Sequence, residues 1–490
     1  MGRQAQEEAR GVSPRAFALE LTKGCNLRCG YCYYAGRDDA YDPRTRMSEE
    51  VAFQSVERLV EDGPAEEPVH LHFFGGEPLL NFPLLRKTVE YGNRRAREEG
   101  RRITYEVTTN GTRFTEEIIS FLNEHSVHVG VSFDGPPDVQ DVSRPAASGS
   151  SHAQAEPGIR ALVASRRGTD LEAKTHCSVV VTNRCSNLVR ISDHLEELGF
   201  QKIILTPATD LEGESHGFRD EDLPEVLAAY DELADRYEDT IAAGRHVAPT
   251  WFPTLMGRLL SGERKMTFCD GGRDYLGVAA DGDVHLCYRF FEDDDFRMGS
   301  VQEGIDRGVT DRLIENELDT RTTCSKCWAR YFCGGGCHHE NVTDGGGLGE
   351  PNPVSCDIFR HSMGRTLDAW ARLSRAGHLD GRKSPKMTER DPKPGGATSP
   401  RVFAQDERPR QAPGCHTRDL DGEKVVYDPV SHEVVVLNGT AAFLFELCDG
   451  ERTVSDILDA FAERFDAPRD VLARDLGATL TDLAGKELLR

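Results

Sequence analysis

Nothing in the sequence reads as a membrane segment. No apolar run approaches the ~20 residues that a span requires, and mean hydropathy is −0.51. The opening stretch, MGRQAQEEARGVSPR, has no apolar signal-peptide core and no myristoylation pattern after Gly2. Basic residues are scarce beside acidic ones, 59 Lys and Arg against 83 Asp and Glu, for a formal charge of −24. That deficit argues against nonspecific nucleic-acid binding, which draws on Lys and Arg contacts to phosphates. The expectation is a cytoplasmic protein with neither membrane nor nucleic acid as partner. Cysteine, in contrast, is plentiful at 14 residues. In a reducing compartment these are better explained as metal ligands and buried thiols than as disulfides.

Length alone allows roughly three units at about 150 residues each. Apolar runs at 16–22, 69–74, 103–109, 128–133, 175–182 and 202–207 read as strands, and helical patterns lie between most of them. One such pattern follows Met47, with Ser48 as its N-cap. Alternating β/α units predict an α/β fold with a parallel sheet, a partial six-stranded barrel over 16–215 behind a tail at 1–15. A helical bridge is expected at 216–265 and a cysteine- and glycine-rich unit at 266–375. Residues 376–412 combine Pro, Gly and charge with little apolar content and predict a flexible linker. At 413–490 the pattern predicts a small α+β domain, a hairpin across Pro429 followed by three helices.

Cys25, Cys29 and Cys32 stand just after the first predicted strand at C-x3-C-x2-C spacing. Three thiolates so placed can hold three irons of a 4Fe-4S cluster and leave the fourth without a protein ligand. Spacing alone does not exclude a disulfide or a structural zinc. The position at a barrel strand's end favours a functional site.

This spacing resembles the signature of the radical SAM superfamily, as does the Gly75, Gly76, Glu77, Pro78 run one β/α unit later. The resemblance implies a cluster that binds S-adenosylmethionine (SAM) and reduces it to methionine and a 5′-deoxyadenosyl radical, with electrons from a donor such as flavodoxin or ferredoxin. Gly75 and Gly76 would let backbone approach the ligand, and Glu77 would accept from the SAM ammonium. Thr109 and Asn110 end the third strand and Ser132 and Asp134 the fourth, where polar residues converge on a barrel mouth. By resemblance, Ser132 would contact the ribose or carboxylate region, Arg144 would pair with the methionine carboxylate, and Tyr31 would flank the adenine.

Downstream, Cys269, Gly282 and Cys287 are followed by Cys324, Cys327, Cys333, Cys337 and Cys356 in the order C-x12-G-x4-C, C-x2-C-x5-C-x3-C, x18-C. Two close pairs could close a zinc ribbon, but seven ligands do not divide neatly into zinc sites. The order resembles the SPASM domain, which implies two auxiliary 4Fe-4S clusters. By that resemblance Cys324, Cys327, Cys333 and Cys356 would hold one, and Cys269, Cys287 and Cys337 the other, with one iron open. Anaerobic sulfatase maturases carry an aspartate base directly after the cysteine matching Cys287, where this sequence has Tyr288. His338, His339 and Glu340 are read as surface groups or as supports around ligands, Cys177, Cys185 and Cys448 as buried thiols, and Cys415 stays unassigned.

The last 78 or so residues resemble a PqqD-like peptide-recognition element, which captures leader peptides of ribosomally made natural products by strand addition. Together the resemblances imply a maturase that cross-links a precursor peptide, with a thioether favoured; the alternatives are carbon-carbon linkage or epimerisation, protein-residue oxidation of the sulfatase-maturase type, or a non-catalytic iron-sulfur peptide binder.

Overall fold

The computed structural model describes residues 13–34, 41–184, 187–208, 216–291, 293–379, 401–420, 423–430 and 434–490. Most of the N-terminal tail, Cys185 and residues 380–400 of the expected linker lie outside them.

All six predicted runs are strands: β1 (Ala16–Glu20), β2 (Val69–Phe74), β3 (Ile103–Thr109), β4 (His128–Ser132), β5 (Thr175–Val181) and β6 (Ile203–Pro207), hydrogen-bonded in that order and parallel throughout. Their alternation divides two environments. Phe17, Leu19, Leu71, Phe73, Val107, Val129, Val131 and Val179 join helix residues such as Val56, Leu59, Leu85 and Leu122 in the main core. The intervening His72, Thr108, Ser132 and Ser178 turn the opposite way, where His72 bonds Thr108 Oγ1 at 2.8 Å. A period of two therefore makes an apolar outer face under the helices and a polar inner face. Ser48 caps the helix Glu49–Asp62 by accepting from Val51 N at 3.1 Å.

The sheet does not stop at six strands. β7 (Tyr275–Val278) pairs in parallel with β1, Ala16 opposite Tyr275 through Leu19 opposite Val278. β8 (Asp283–His285), β9 (Arg297–Ser300) and β10 (Gly304–Ile305) continue it antiparallel, for ten strands in all. The cysteine-rich unit is thus an extension of the barrel sheet rather than a separate body. Its strands, two to four residues long, are too short for a periodic signal. Helix Pro353–Arg375 closes the unit against the bridge helix Leu223–Ala242 through Arg365–Asp231 (3.0 Å) and Arg372–Glu238 (2.9 Å).

At the C-terminus, β11 (His416–Leu420), β12 (Glu423–Tyr427) and β13 (Val434–Leu437) form an antiparallel sheet followed by helices Gly439–Leu447, Val454–Arg464 and Arg469–Gly485. The polar HTRDL strand β11 was not expected. Residues 401–412 correct the linker boundary, because they are built into this domain. Arg410 and Arg490 exchange backbone hydrogen bonds at 3.0 and 2.8 Å, Gln411 N donates to Cys448 O at 2.9 Å, and Glu407 O accepts from Val454 N at 2.9 Å. Backbone pairing of this kind leaves no trace in side-chain polarity.

The small sheet is covered on both faces. Val425 and Tyr427 belong to the main core, while Val426 and Leu437 belong to the domain's own helices. His416 lies flat on Trp328, ring centroids 3.7 Å apart at 3°. Burial, with Arg418 nearby, lowers the His416 pKa to about 4. An unfolded histidine titrates near 6.5, so the unfolded chain binds more protons between these values and stability must rise with pH across that window. Thermal melts should therefore lose stability from pH 6.5 towards pH 4, and His416→Phe, which keeps the stack without the titration, should flatten that slope. An unchanged slope would contradict this origin.

Candidate functional site

The cysteine loop begins where β1 ends, and the turn after β2 is its seat. Gly76 N donates to Thr22 O at 2.7 Å and Glu77 N to Gly24 O at 2.8 Å. Gly75 has φ +123°, and a Cβ there would stand 2.5 Å from Thr22 O; one on Gly76 would stand 2.3 Å from Gly24 O. Only glycine lets the two loops lie this close.

The cavity above the loop has a volume of about 200 Å³. Cys25, Cys29, Cys32, Tyr31, Gly75, Gly76, Thr109, Asn110, Ser132 and Arg144 all line it. Burial pushes the thiols of Cys25 and Cys29 up to about 12. Such thiols ionise only beside a cation, and a soft thiolate set at a glycine-cradled loop fits iron-sulfur ligation. Asn110 Nδ2 and Arg144 Nη1 each approach a sulfur, Cys25 and Cys29 respectively, at 3.9 Å.

Glu77 and Asp134 are not among the residues that line this cavity. Glu77 is 1% exposed. Its Oε1 accepts from Leu79 N (3.0 Å) and Thr109 Oγ1 (2.8 Å), and its Oε2 accepts from Asn110 N (2.8 Å). It braces the ends of β2 and β3, and burial pushes its pKa up against those three bonds. Asp134, fully buried, accepts from Val180 N (3.0 Å), Arg144 Nη2 (3.1 Å) and the Tyr31 hydroxyl. A carboxylate beside a ligand motif is drawn inwards when backbone N–H groups at the strand ends need acceptors. Burial disfavours the Arg144 charge, but Asp134, Tyr31 and Cys29 outweigh it and keep the guanidinium ionised. Arg144 thus carries a fixed charge at the cavity wall, 5.2 Å over the Tyr31 ring.

The cysteine-rich unit adds Tyr288, Arg289 and His339 to the lining. Tyr288 stacks on Phe74 with centroids 4.1 Å apart at 26°, and Tyr33 lies 6.0 Å from it. Glu340 pairs with Arg289 at 3.4 Å. His338 and His339 are 5% and 7% exposed, buried rather than at the surface. Sequence reasoning missed Arg289 and His339 as wall residues; their only signal is closeness in sequence to Cys287 and Cys337. Among the described lining residues there is no Asp or Glu.

The remaining cysteines fall into two groups. The β7–β8 hairpin turns at Gly282 (φ +102°) and returns Cys287 to Cys269. A Cβ on Gly271 would sit 3.4 Å from Cys269 Sγ and 3.7 Å from Cys287 Cβ. Burial raises the Cys287 pKa, and the charges of Cys337 and Cys269 raise it further. Cys356 is pushed up to about 12 by burial, with Cys333, Cys327 and Cys324 adding to it. Gly334, Gly335 and Gly336 all have positive φ (81°, 93°, 78°), and the N–H groups of the last two point at the Cys333 sulfur. A cavity of about 270 Å³ is lined by Cys333, Cys337 and Cys356. Among the described residues no three His, Cys, Asp or Glu side chains converge on one metal ion, whereas a cluster takes its thiolates spread around a cube. Cys177 is buried and donates to Phe133 O at 3.2 Å, Cys448 is buried, and Cys415 is half-buried.

A family model of the radical SAM superfamily matches residues 19–171, and one of the coenzyme PQQ synthesis protein D (PqqD) family matches residues 423–489. A cysteine-type anaerobic sulfatase-maturating enzyme of Clostridium perfringens is 25% identical over 331 residues, 64% of this chain and 86% of that protein. A serine-type one from Bacteroides thetaiotaomicron is 34% identical over 123 residues, 24% and 29% of the two chains. The solved structure of native anSMEcpe with bound AdoMet superposes with TM-score 0.62 at 22% identity, covering 74% of this chain and 99% of that one. Streptococcus suis SuiB bound to precursor peptide SuiA superposes at 0.50 and 12% identity, covering 72% and 78%. Both likenesses are of fold.

The glycine seat predicts its own failure. Gly76→Ala would thrust a methyl against Gly24 O and displace the cysteine loop, so iron bound after anaerobic reconstitution should fall by about four per chain, one 4Fe-4S cluster. Full iron content in a folded variant would refute that role for the seat. The loop, the cavity over it and the two matched segments lead to one conclusion: the chain carries a radical SAM enzyme domain at residues 19–171, whose cysteine loop fits a 4Fe-4S cluster and SAM, and a PqqD domain at residues 423–489.

Proposed function

We propose that this enzyme matures a ribosomally synthesised precursor peptide in the cytoplasm, forming an intramolecular cross-link, with a cysteine thioether favoured over a carbon-carbon bond. The carrying observation is the cavity itself. Cys25, Cys29 and Cys32 line it together with Tyr288, Arg289 and His339 of the cysteine-rich unit, and no described lining residue is a carboxylate.

Cys25, Cys29 and Cys32 would hold the SAM cluster, and Tyr31, Gly75, Gly76, Glu77, Thr109, Asn110, Ser132, Asp134 and Arg144 would bind SAM, Glu77 and Asp134 also bracing the strand ends. The cysteine-rich unit is read as a SPASM domain: Cys324, Cys327, Cys333 and Cys356 would hold one auxiliary 4Fe-4S cluster, and Cys269, Cys287 and Cys337 a second with one position free for a substrate thiolate. With a reductant such as flavodoxin or ferredoxin, the bound cofactors supply a 5′-deoxyadenosyl radical and a sink for the electron released as the link forms. The protein's own contribution is placement and exclusion of water. Tyr33, Phe74 and Tyr288 make an aromatic wall against which an apolar segment of peptide can lie, and Arg144 fixes a carboxylate. A substrate thiol already held as thiolate needs no protein base, in keeping with Tyr288 where sulfatase maturases carry aspartate.

The PqqD domain supports a peptide substrate. β13 pairs only with β12 among the described strands, and its other edge suits a leader added as a strand. The SuiB structure carries a precursor peptide on a related fold. Protein-residue oxidation of the sulfatase-maturase type is the second reading, favoured by the 25% identity over 331 residues and opposed by Tyr288.

Co-expression with a cysteine-containing precursor peptide that the enzyme accepts should yield a peptide lighter by two hydrogens per link, with one cysteine fewer open to alkylation. An aldehyde product would favour the second reading, and solvent deuterium at an α-carbon without hydrogen loss would mean epimerisation. Cys356→Ala should remove about four irons per chain and abolish the link while SAM is still cleaved to 5′-deoxyadenosine. Undiminished linking by that variant would rule out the assigned auxiliary cluster.

A further inference from the structure

The PqqD domain is held against the rest of the chain by a built interface. Tyr427, fully buried, packs on Phe332 with ring centroids 5.1 Å apart, and Trp328 carries His416. Arg418 grips Asp368, which is 3% exposed, with both arms: Nε to Oδ1 at 2.9 Å and Nη2 to Oδ2 at 2.6 Å. Helix Pro353–Arg375 makes room for that grip at Gly364, where a Cβ would stand 2.6 Å from Arg418 Nη1. Arg375–Glu423 adds an ion pair at 2.6 Å. Interfaces inside a chain are mobile by default unless they are apolar and well packed. This one shares the main core through Leu420, Val425, Tyr427 and Val434.

Because β12 is so fixed, and β13 is hydrogen-bonded to it from Lys424–Leu437 to Tyr427–Val434, the β13 edge has a fixed place relative to the cavity. Resting on the peptide reading above, we infer that the docked domain sets a minimum spacing in the substrate between the leader segment that joins β13 and the residue that is modified. An extended residue spans at most ~3.3–3.6 Å, and a reacting atom must come within about 3–3.5 Å of its partner. Once the spacer is just long enough, removing one residue withdraws the reacting carbon by a full contact distance. Adding residues costs only loop entropy, which grows with the logarithm of length. The length profile is therefore a cliff on the short side and a gentle slope on the long side. A domain that swung freely on its covalent connection would follow a shortened peptide inwards and show no cliff.

The experiment takes the precursor that loses two hydrogens above and deletes the residues between its leader and modified position one at a time, then lengthens the same stretch with Gly-Ser pairs. With the wild-type enzyme, linking should drop at least tenfold within one or two consecutive deletions and decline slowly on insertion. In His416→Glu/Arg418→Glu, which puts charge against Trp328 and Asp368, the shortened peptides should regain linking while the full-length one is linked less well. Gly364→Ala, which crowds Arg418 from the other side, should shift the profile the same way. Regained activity on a shortened peptide is an outcome misfolding cannot produce. A gradual wild-type loss without a cliff would overturn the inference, even with every variant unfolded, and would leave the peptide-maturase reading standing. A precursor that is never modified would sink that reading instead.

Discussion

β1 is the constraint on which the rest of the structure depends. It is buried at every residue and hydrogen-bonded in parallel on both sides, to β2 and to β7. A strand so enclosed has no water for its backbone groups, so both neighbours must be in register for it to form. Its end carries the cysteine loop; β2's end carries the glycine seat; β7 opens the hairpin whose far end returns as Cys287 and Tyr288. The cysteine loop and Tyr288 are therefore both positioned by one sheet.

Within that frame, charge is managed by turning carboxylates away from the cavity. Glu20 bonds the Tyr34 hydroxyl and Ala280 N, Glu77 braces the ends of β2 and β3, and Asp134 holds Arg144 and Tyr31. Each is buried, and each is satisfied by hydrogen bonds as the cost of burial demands. Among the described residues, the cavity is lined by thiol, amide, hydroxyl, guanidinium, imidazole, aromatic and aliphatic groups. The stacked rings of Phe74 and Tyr288 give that lining an apolar aromatic surface.

Much of this was legible in the sequence, for reasons that differ by element. The six barrel strands alternate cleanly because one face meets helices and the other a polar interior. The cysteine spacing was legible because ligation fixes residue type and interval together. Gly75 and Gly76 could be read as a place of close approach, but not that the approaching body is the cysteine loop as well as the cavity. The hydrogen bonds of Glu77 and Asp134 were not legible, since sequence does not say which way a strand-end carboxylate turns. β7 to β10 are too short for periodicity, β11 is polar, and residues 401–412 fold through backbone bonds alone. The docking of His416 on Trp328 and Arg418 on Asp368 joins distant positions of unremarkable type, so only the fold reveals it.

That docking changes the account of how the three units cooperate. A domain bound to the cysteine-rich unit presents its open strand edge in a defined place, so recognition and chemistry share one coordinate frame. The central claim is that the radical raised at Cys25, Cys29 and Cys32 takes its hydrogen from a peptide in this cavity. The most direct measurement is isotopic: a precursor deuterated at the carbon to be linked, turned over anaerobically, with the 5′-deoxyadenosine weighed. The account predicts one deuterium transferred into 5′-deoxyadenosine for each link formed. A linked peptide accompanied by 5′-deoxyadenosine free of deuterium would contradict it.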